Sequence, residues 1–260
     1  MKKYLQASIN LANEKNYLDQ LSAVYPMIPE TNRELAVGKW EKVEEAFEAQ
    51  DDLKLIESLL DLELFPIKDS FVPYFRRDKG ALERNPETVR RLSDRLYAMG
   101  LAEIWDRATQ PKETNRQIGP MFRRWLQEGS LRVPLIRSDA DFEAASMNCI
   151  YDQSDAALKV FAETKLGYDI DKGLDFIGKF GGQYVIGEAK FLTDFGGHQD
   201  RQLDDALKLA KWQGEGVVTV AVLDGVVYFP NGGSMYRKIT DAVNSNIVSS
   251  LLLGDFLESL

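Results

Sequence analysis

One cysteine, Cys149, and one histidine, His198, are all that 260 residues offer of either type. An internal disulfide is therefore excluded, and so is a zinc site built from the usual four Cys and His ligands. Long hydrophobic runs are missing as well. No stretch of about 20 apolar residues is present to cross a bilayer, and the opening MKKYLQASINLANEKNYLDQL is broken by polar residues before a signal-peptide apolar block forms. A soluble protein of the cytoplasm is expected. There is no internal repeat and no low-complexity tract. What remains, 44% hydrophobic and 28% charged residues, is the composition of an ordinary globular protein, long enough for one substantial core or for a core with a sizeable subdomain.

Basic charge is scarce overall, with a formal net charge of −9, which argues against a protein that coats nucleic acid without specificity. The average hides a segregation. Residues 1–70 carry 8 basic and 14 acidic side chains, residues 71–138 carry 14 and 8, and residues 139–260 carry 10 and 19. The middle segment is the candidate polyanion surface, with a solvated helical face as its plainer explanation.

The first 138 residues read mostly as helices. Ala36, Trp40, Val43 and Phe47 recur at helical spacing as an apolar stripe. Asn85-Pro86-Glu87 supplies a capping side chain, a proline at the first helical position and an acid near the positive end of the dipole; Val89, Leu92, Leu96 and Met99 carry the stripe to Gly100. In PKETNRQIGPMFRRWLQEGS, Gly119 and Pro120 predict a loop over 112–117 and a helix over 121–128. From about residue 152 the pattern becomes a helix over 154–166 closed by Gly167, a hairpin, a helix over about 199–212, two β-branched runs around Asp224-Gly225, and a closing helix over about 241–257. The Asp-Gly pair predicts a second tight hairpin turn. A mixed sheet flanked by helices follows, giving an α/β protein.

The hairpin GLDFIGKFGGQYVIGEAKF carries the chemistry. With Gly181 and Gly182 as the two central turn residues, Asp175 faces Glu188 across the strands, about 4.5–5.5 Å apart at Cβ, and Lys190 projects from the same side. Val185, Gly187 and Ala189 then point to the opposite face, where a helix can pack. Paired carboxylates raise one another's pKa unless a cation neutralises them, the arrangement that suits a hard divalent ion such as Mg²⁺. Lys190 is placed to position or deprotonate a water, or to stabilise charge on phosphate. The reaction class is metal-assisted phosphodiester hydrolysis; an exposed hairpin with ordinary cross-strand charge decoration is the competing explanation. The stretch Gly178-Lys179-Phe180-Gly181-Gly182 is not a P-loop, since it lacks the Gly-Lys-Ser/Thr ending and lies between strands.

The stretch KGLDFIGKFGGQYVIGEAKFLTDFGGHQDRQ resembles the active-site region of type II restriction endonucleases of the PD-(D/E)XK superfamily, with Leu174-Asp175 in place of Pro-Asp and Glu188-Ala189-Lys190 as the (D/E)XK element. FPIKDSFVPYFRRD, NPETVRRLSDRLYAMG, PKETNRQIGPMFRRWL, VAVLDGVVYF and the late NIVSSLLLGDFL are similar to one branch of these enzymes, so the likeness runs from about residue 65 to the end. The resemblance implies a restriction-endonuclease-like core of a mixed β-sheet flanked by helices, with a largely helical N-terminal half. It assigns residues 1–138 to recognition and structure and 139–260 to the catalytic core, the two forming either separate regions or one integrated domain. It gives metal coordination to Asp175 and Glu188 and the catalytic amine to Lys190, with Mg²⁺ as cofactor and Mn²⁺ as its substitute. A further acid on the preceding helix would be Glu163, with Asp155 behind it, although helix-surface charge also explains both.

For DNA contact the candidates are Lys112, Asn115, Arg116 and Gln117, then Arg123 and Arg124, because Arg, Lys, Asn and Gln can make bidentate contacts to base edges. Arg76, Arg77 and Lys79 are candidates for phosphates. After the lysine, His198, Gln199 and Gln202 follow two glycines at a helix start, where backbone can approach a phosphate. The expected activity is Mg²⁺-dependent, sequence-specific hydrolysis of double-stranded DNA by a homodimer, one Asp-Glu-Lys site per strand, in a bacterial or archaeal cytoplasm. A cognate DNA methyltransferase belongs to such a system without being a stable subunit. Alternatives are a repair or recombination nuclease of the same superfamily, or a catalytically silent DNA-binding protein. Ile247, Leu251, Leu252, Phe256 and Leu260 form an apolar row suited equally to a dimer interface or to packing on the sheet.

Overall fold

The computed structural model describes residues 2–26, 32–36, 38–111, 118–231, 233–242 and 244–260. Helices α1 (Lys2–Ala12) and α2 (Tyr17–Leu21) are followed by α3 (Lys39–Glu48), α4 (Asp52–Leu60), α5 (Val72–Arg77), α6 (Ala81–Arg84), α7 (Pro86–Met99), α8 (Leu101–Ala108) and α9 (Ile118–Gln127). Strand β1 (Leu135–Ile136), α10 (Asp139–Ala144), β2 (Cys149–Tyr151), α11 (Asp155–Leu166), β3 (Phe176–Phe180), β4 (Gln183–Leu192), α12 (Gly197–Lys211), β5 (Val217–Gly225), α13 (Gly233–Asp241), β6 (Ile247–Val248) and α14 (Leu253–Glu258) complete the order. The chain divides into two compact units, Ile28–Glu113 and Met1–Met27 with Thr114–Leu260. Among the described residues no helix is long and apolar enough to cross a membrane.

Among the described residues of the unit 28–113, the regular structure is all helical. Val43, Leu55, Ile56, Leu59, Leu92 and Leu96 centre its core, with Trp40 and Phe47 packed against it. Helix α7 starts at Pro86 and stops before Gly100, whose φ of +79° ends the helix. One detail of its start differs from expectation. Asn85 makes no side-chain bond to the α7 N-terminus, and its Nδ2 instead donates to Ala81 O at 2.7 Å, closing the preceding turn of α6.

The other unit holds one six-stranded mixed sheet in the order β1-β2-β3-β4-β5-β6. Strands β2, β3 and β4 pair antiparallel, and β4-β5, β5-β6 and β1-β2 pair parallel. The central strands are buried on both faces. One face of β4 sets Val185 and Ala189 against Phe122 and Leu126 of α9, and on the other Leu192 meets Leu203, Ala206 and Leu207 of α12. Gly187 permits the close approach of its neighbour, since a Cβ there would lie 2.1 Å from Phe176 Cε1.

Two expectations fail in this unit. Asp224-Gly225 is not a hairpin turn: β5 runs through it parallel to β4, with Leu192 opposite Gly225, and a 3-10 turn, Val226–Tyr228, follows. Gly225 serves the strand's end. Its φ is +94°, and a Cβ would fall 2.0 Å from Leu192 O. Nor is there one closing helix over 241–257. Helix α13 ends at Asp241, Ile247 and Val248 add an edge strand, and only then does α14 form. The apolar row is divided accordingly: Ile247 and Phe256 are buried in the core, Leu251 and Leu252 pack beside it, and Leu260 is exposed. Helix α9 begins at Ile118, earlier than expected, because Pro120 sits in its first turn, where no intrahelical N–H is required.

Candidate active site

The β3-β4 hairpin turns on Gly181 and Gly182, with φ of +56° and +79°, as a two-residue turn with both central residues left-handed demands. The resulting register pairs Phe176 with Gly187 and Phe180 with Gln183, so Asp175, one residue ahead of β3, comes opposite Glu188. Asp175 N donates to Gly187 O at 3.0 Å, and its Oδ2 accepts from Ala189 N at 2.7 Å. Two backbone contacts thus fix the carboxylate against β4.

Lys190 bridges the acids. Its Nζ lies 2.8 Å from Glu188 Oε1 and 3.5 Å from Asp175 Oδ2. Glu188 is only 2% exposed, and burial raises its carboxyl pKa, against the opposing pull of Lys190. Burial works the other way on Lys190, but Asp175 and Glu188 outweigh it and the ammonium pKa is raised. The lysine is a cation held between two anions. Glu188 Oε2 is buried with no hydrogen-bond partner.

Two residues outside the expected set extend this chain of charges. Lys172 Nζ stands 3.9 Å from Glu188 Oε1 and is held on its other side by Asp205 of α12. Lys172 lies three residues before Asp175, within the stretch that carried the motif; Asp205 has no local sequence signal, since α12 brings it in from across the fold. Among the described residues no group of three or more His, Cys, Asp and Glu gathers as a cation site. The protein's oxygen donors at the hairpin are therefore two carboxylates, and Glu163 is on α11, paired with Lys159 at 3.6 Å. Asp155 pairs with Arg123.

The first turn of α9 begins at the site, where a Cβ on Gly119 would lie 3.8 Å from Asp175 Oδ1. Arg124 of this helix is exposed and Arg123 half-buried. Lys112, Asn115, Arg116 and Gln117 lie outside the described residues. At the start of α12, His198 is exposed and shares a 3.3 Å contact with Gln202. Gln199 is engaged in its own loop: its Oε1 accepts from Thr193 N at 2.7 Å and its Nε2 donates to Thr193 Oγ1 at 3.1 Å. In the helical unit, Arg76 donates to the carbonyls of Leu62 and Glu63, and Lys79 pairs with Asp61 at 2.6 Å.

A mixed sheet flanked by helices, with two acids and a lysine converging on its central hairpin, is the restriction-endonuclease-like α/β fold. Residues 2–260 match the Tsp45I type II restriction enzyme family, and the chain belongs to that family. Neither the curated proteins nor the solved structures gave a match. The protein is a site-specific deoxyribonuclease that cuts double-stranded DNA at a defined sequence, which decides between the restriction enzyme and the repair or silent alternatives.

Proposed function

We propose that Asp175, Glu188 and Lys190 are the hydrolytic centre, working with Mg²⁺, for which Mn²⁺ substitutes, and that two chains act together as a homodimer on one duplex. The observation that carries this reading is the convergence of the three side chains, with Lys190 Nζ 2.8 Å and 3.5 Å from the two carboxylates. The donor set fits a hard divalent ion: two carboxylates from protein, the remaining positions left for water and phosphate. Glu188 Oε2, buried and without a donor, is the oxygen such an ion would satisfy. When bound there, the ion polarises the P–O bond and supports the leaving oxygen.

The chain's own residues do the rest. Ala189 N–H holds Asp175 in register, and Lys172, steadied by Asp205, supplies Glu188 with a second cation. This frees Lys190 to turn from the carboxylates toward the scissile phosphate, where it orients the attacking water and offsets developing negative charge. Base and phosphate contacts are assigned to Lys112, Asn115, Arg116, Gln117, Arg123 and Arg124, leading into the helix that starts beside Asp175, with His198, Gln199 and Gln202 contacting DNA near the cut. Residues 1–138 are read as recognition and structure, 139–260 as the catalytic core. The cytoplasm of a bacterium or archaeon, with a separate methyltransferase guarding the host site, completes the reading.

Sequencing the ends of a digested plasmid gives the site and the overhang. Sedimentation of the Ca²⁺ complex on that duplex tests the dimer: a single chain per duplex that still made double-strand breaks would replace it with sequential nicking.

A further inference from the structure

In the helical unit the side chains of Phe71, 54% exposed, and Tyr74, 61% exposed, are held out in solvent. The short helix α5 is pinned from below. Val72 and Phe75 are buried in the core, and Arg76 fastens the helix to the carbonyls of Leu62 and Glu63 at 2.8 and 3.2 Å. Helical spacing then puts Phe71, Tyr74 and Arg77 on the outer side. Phe71 is fixed as well as exposed. Its N–H donates to Asp69 Oδ1 at 2.9 Å, Asp69 Oδ2 pairs with Arg91 at 2.8 Å, and the Arg91 guanidinium sits 5.8 Å from the Phe71 ring centroid. Phe71, Tyr74 and Phe75 with Asn85 and Thr88 line a hollow of about 250 Å³. Thr88, Arg91 and Arg95 share one face of α7; Arg91 and, more weakly, Arg95 lower the pKa of the Asp69 carboxyl, and Arg77 forms no ion pair among the described residues.

We propose that this face is a DNA-contact site in which Phe71 and Tyr74 stack against, or wedge between, nucleobases while Arg77, Arg91 and Arg95 take the flanking phosphates. Aromatic faces ringed by arginine suit bases beside a polyanionic backbone. Rings whose backbone is already fixed lose little freedom on binding. Charge favours DNA over a second copy of the chain, because three arginines against the one carboxylate of Asp69 leave a net positive face that a two-fold contact would set against itself.

The test measures binding, in Ca²⁺, of a labelled random-sequence duplex and of a duplex carrying the mapped cut site. Phe71→Ala and Tyr74→Ala should each weaken binding about tenfold or more. Phe71→Trp, which keeps an aromatic face, should recover it, and Arg77→Ala should weaken both duplexes and lower the salt slope by about one. Wild-type affinity in both alanine variants overturns the proposal. So does a Phe71→Trp as weak as Phe71→Ala, or an affinity loss seen only with a changed sedimentation coefficient of the DNA-free protein, which would assign the face to a second copy. Wild-type cleavage in Mg²⁺, run on the same preparation, reports on the family activity separately.

Discussion

Glu188 on β4 and Asp224 on β5 are buried acids of adjacent parallel strands, one 2% exposed and the other wholly enclosed. Their surroundings differ in kind. Glu188 meets two ammonium groups through one oxygen and leaves the other unpartnered. Asp224 is saturated by uncharged donors: Tyr17 and Ser249 hydroxyls reach Oδ1 at 3.2 and 2.6 Å, and the Tyr25 hydroxyl and Ser250 N–H reach Oδ2 at 3.2 and 3.3 Å. Burial pushes the Asp224 carboxyl up to about 6 even so, with the serine and tyrosine donors pulling it down. A buried acid with an unsatisfied oxygen and two ammonium neighbours is equipped to exchange partners. One enclosed by hydroxyls and backbone is equipped to hold strands and helices together.

The comparison breaks most sharply in cleavage. Asp175→Ala, Glu188→Ala and Lys190→Ala should each cut DNA at least about 10³-fold more slowly, whereas Asp224→Asn should cut within about tenfold of wild type, the margin reflecting loss of one charge-assisted interaction. Plasmid linearisation under single-turnover conditions measures both. An Asp224→Asn protein as inactive as Glu188→Ala would end the distinction.

Stability should reverse the order. Asp224→Ala strands four buried donors, at about 1 kcal/mol each, so urea unfolding should show a loss of about 4 kcal/mol, larger than for Glu188→Ala. An equal loss in the two would mean that Glu188 is structural too.

A pH series sharpens the same contrast. Asp224 binds its proton more tightly folded, near 6, than unfolded, near 3.8, so the folded state holds the extra proton between those values and loses stability as pH rises through them. Relative to Asp224→Asn, wild type should lose about 2 kcal/mol from pH 4 to pH 6, the slope staying below about 1.4 kcal/mol per pH unit. A difference that stays flat across that window would show that the carboxyl is not raised.

The smallest effect is expected at Lys172. Removing this cation should move the Glu188 carboxyl further up, because Lys172 pulls it down. The acid limb of the cleavage profile should shift to higher pH in Lys172→Ala, with a rate loss of about tenfold or less at neutral pH. An unshifted limb would remove Lys172 from the site.

What the sequence made legible was local. The hairpin register followed from two glycines and strict alternation, and α7 and α11 followed from their proline and glycine punctuation. Asp224-Gly225 misled because the same pair that suits a tight turn also suits the end of a parallel strand, where Asp224 collects donors from 199 to 207 residues away and Gly225 lets the Leu192 carbonyl approach. The break that admits β6 has no periodicity of its own. Two residues are too few for alternation to show, and the strand exists because β5 offers it an edge. Lys172 was overlooked because a lysine in a loop carries no signal until a neighbouring helix supplies Asp205.

The tyrosine hydroxyls on Asp224 also set an order of assembly. Tyr17 and Tyr25 precede residues 28–113, while Asp224 and its serine partners follow them. Synthesised from the N-terminus, the helical unit has all of its core residues out of the ribosome while Tyr17 and Tyr25 still wait for β5 and β6. Contacts of such separation close late and slowly. The helical unit can mature during translation, whereas Asp224 on β5 gains its serine donors only after residues 249 and 250 arrive.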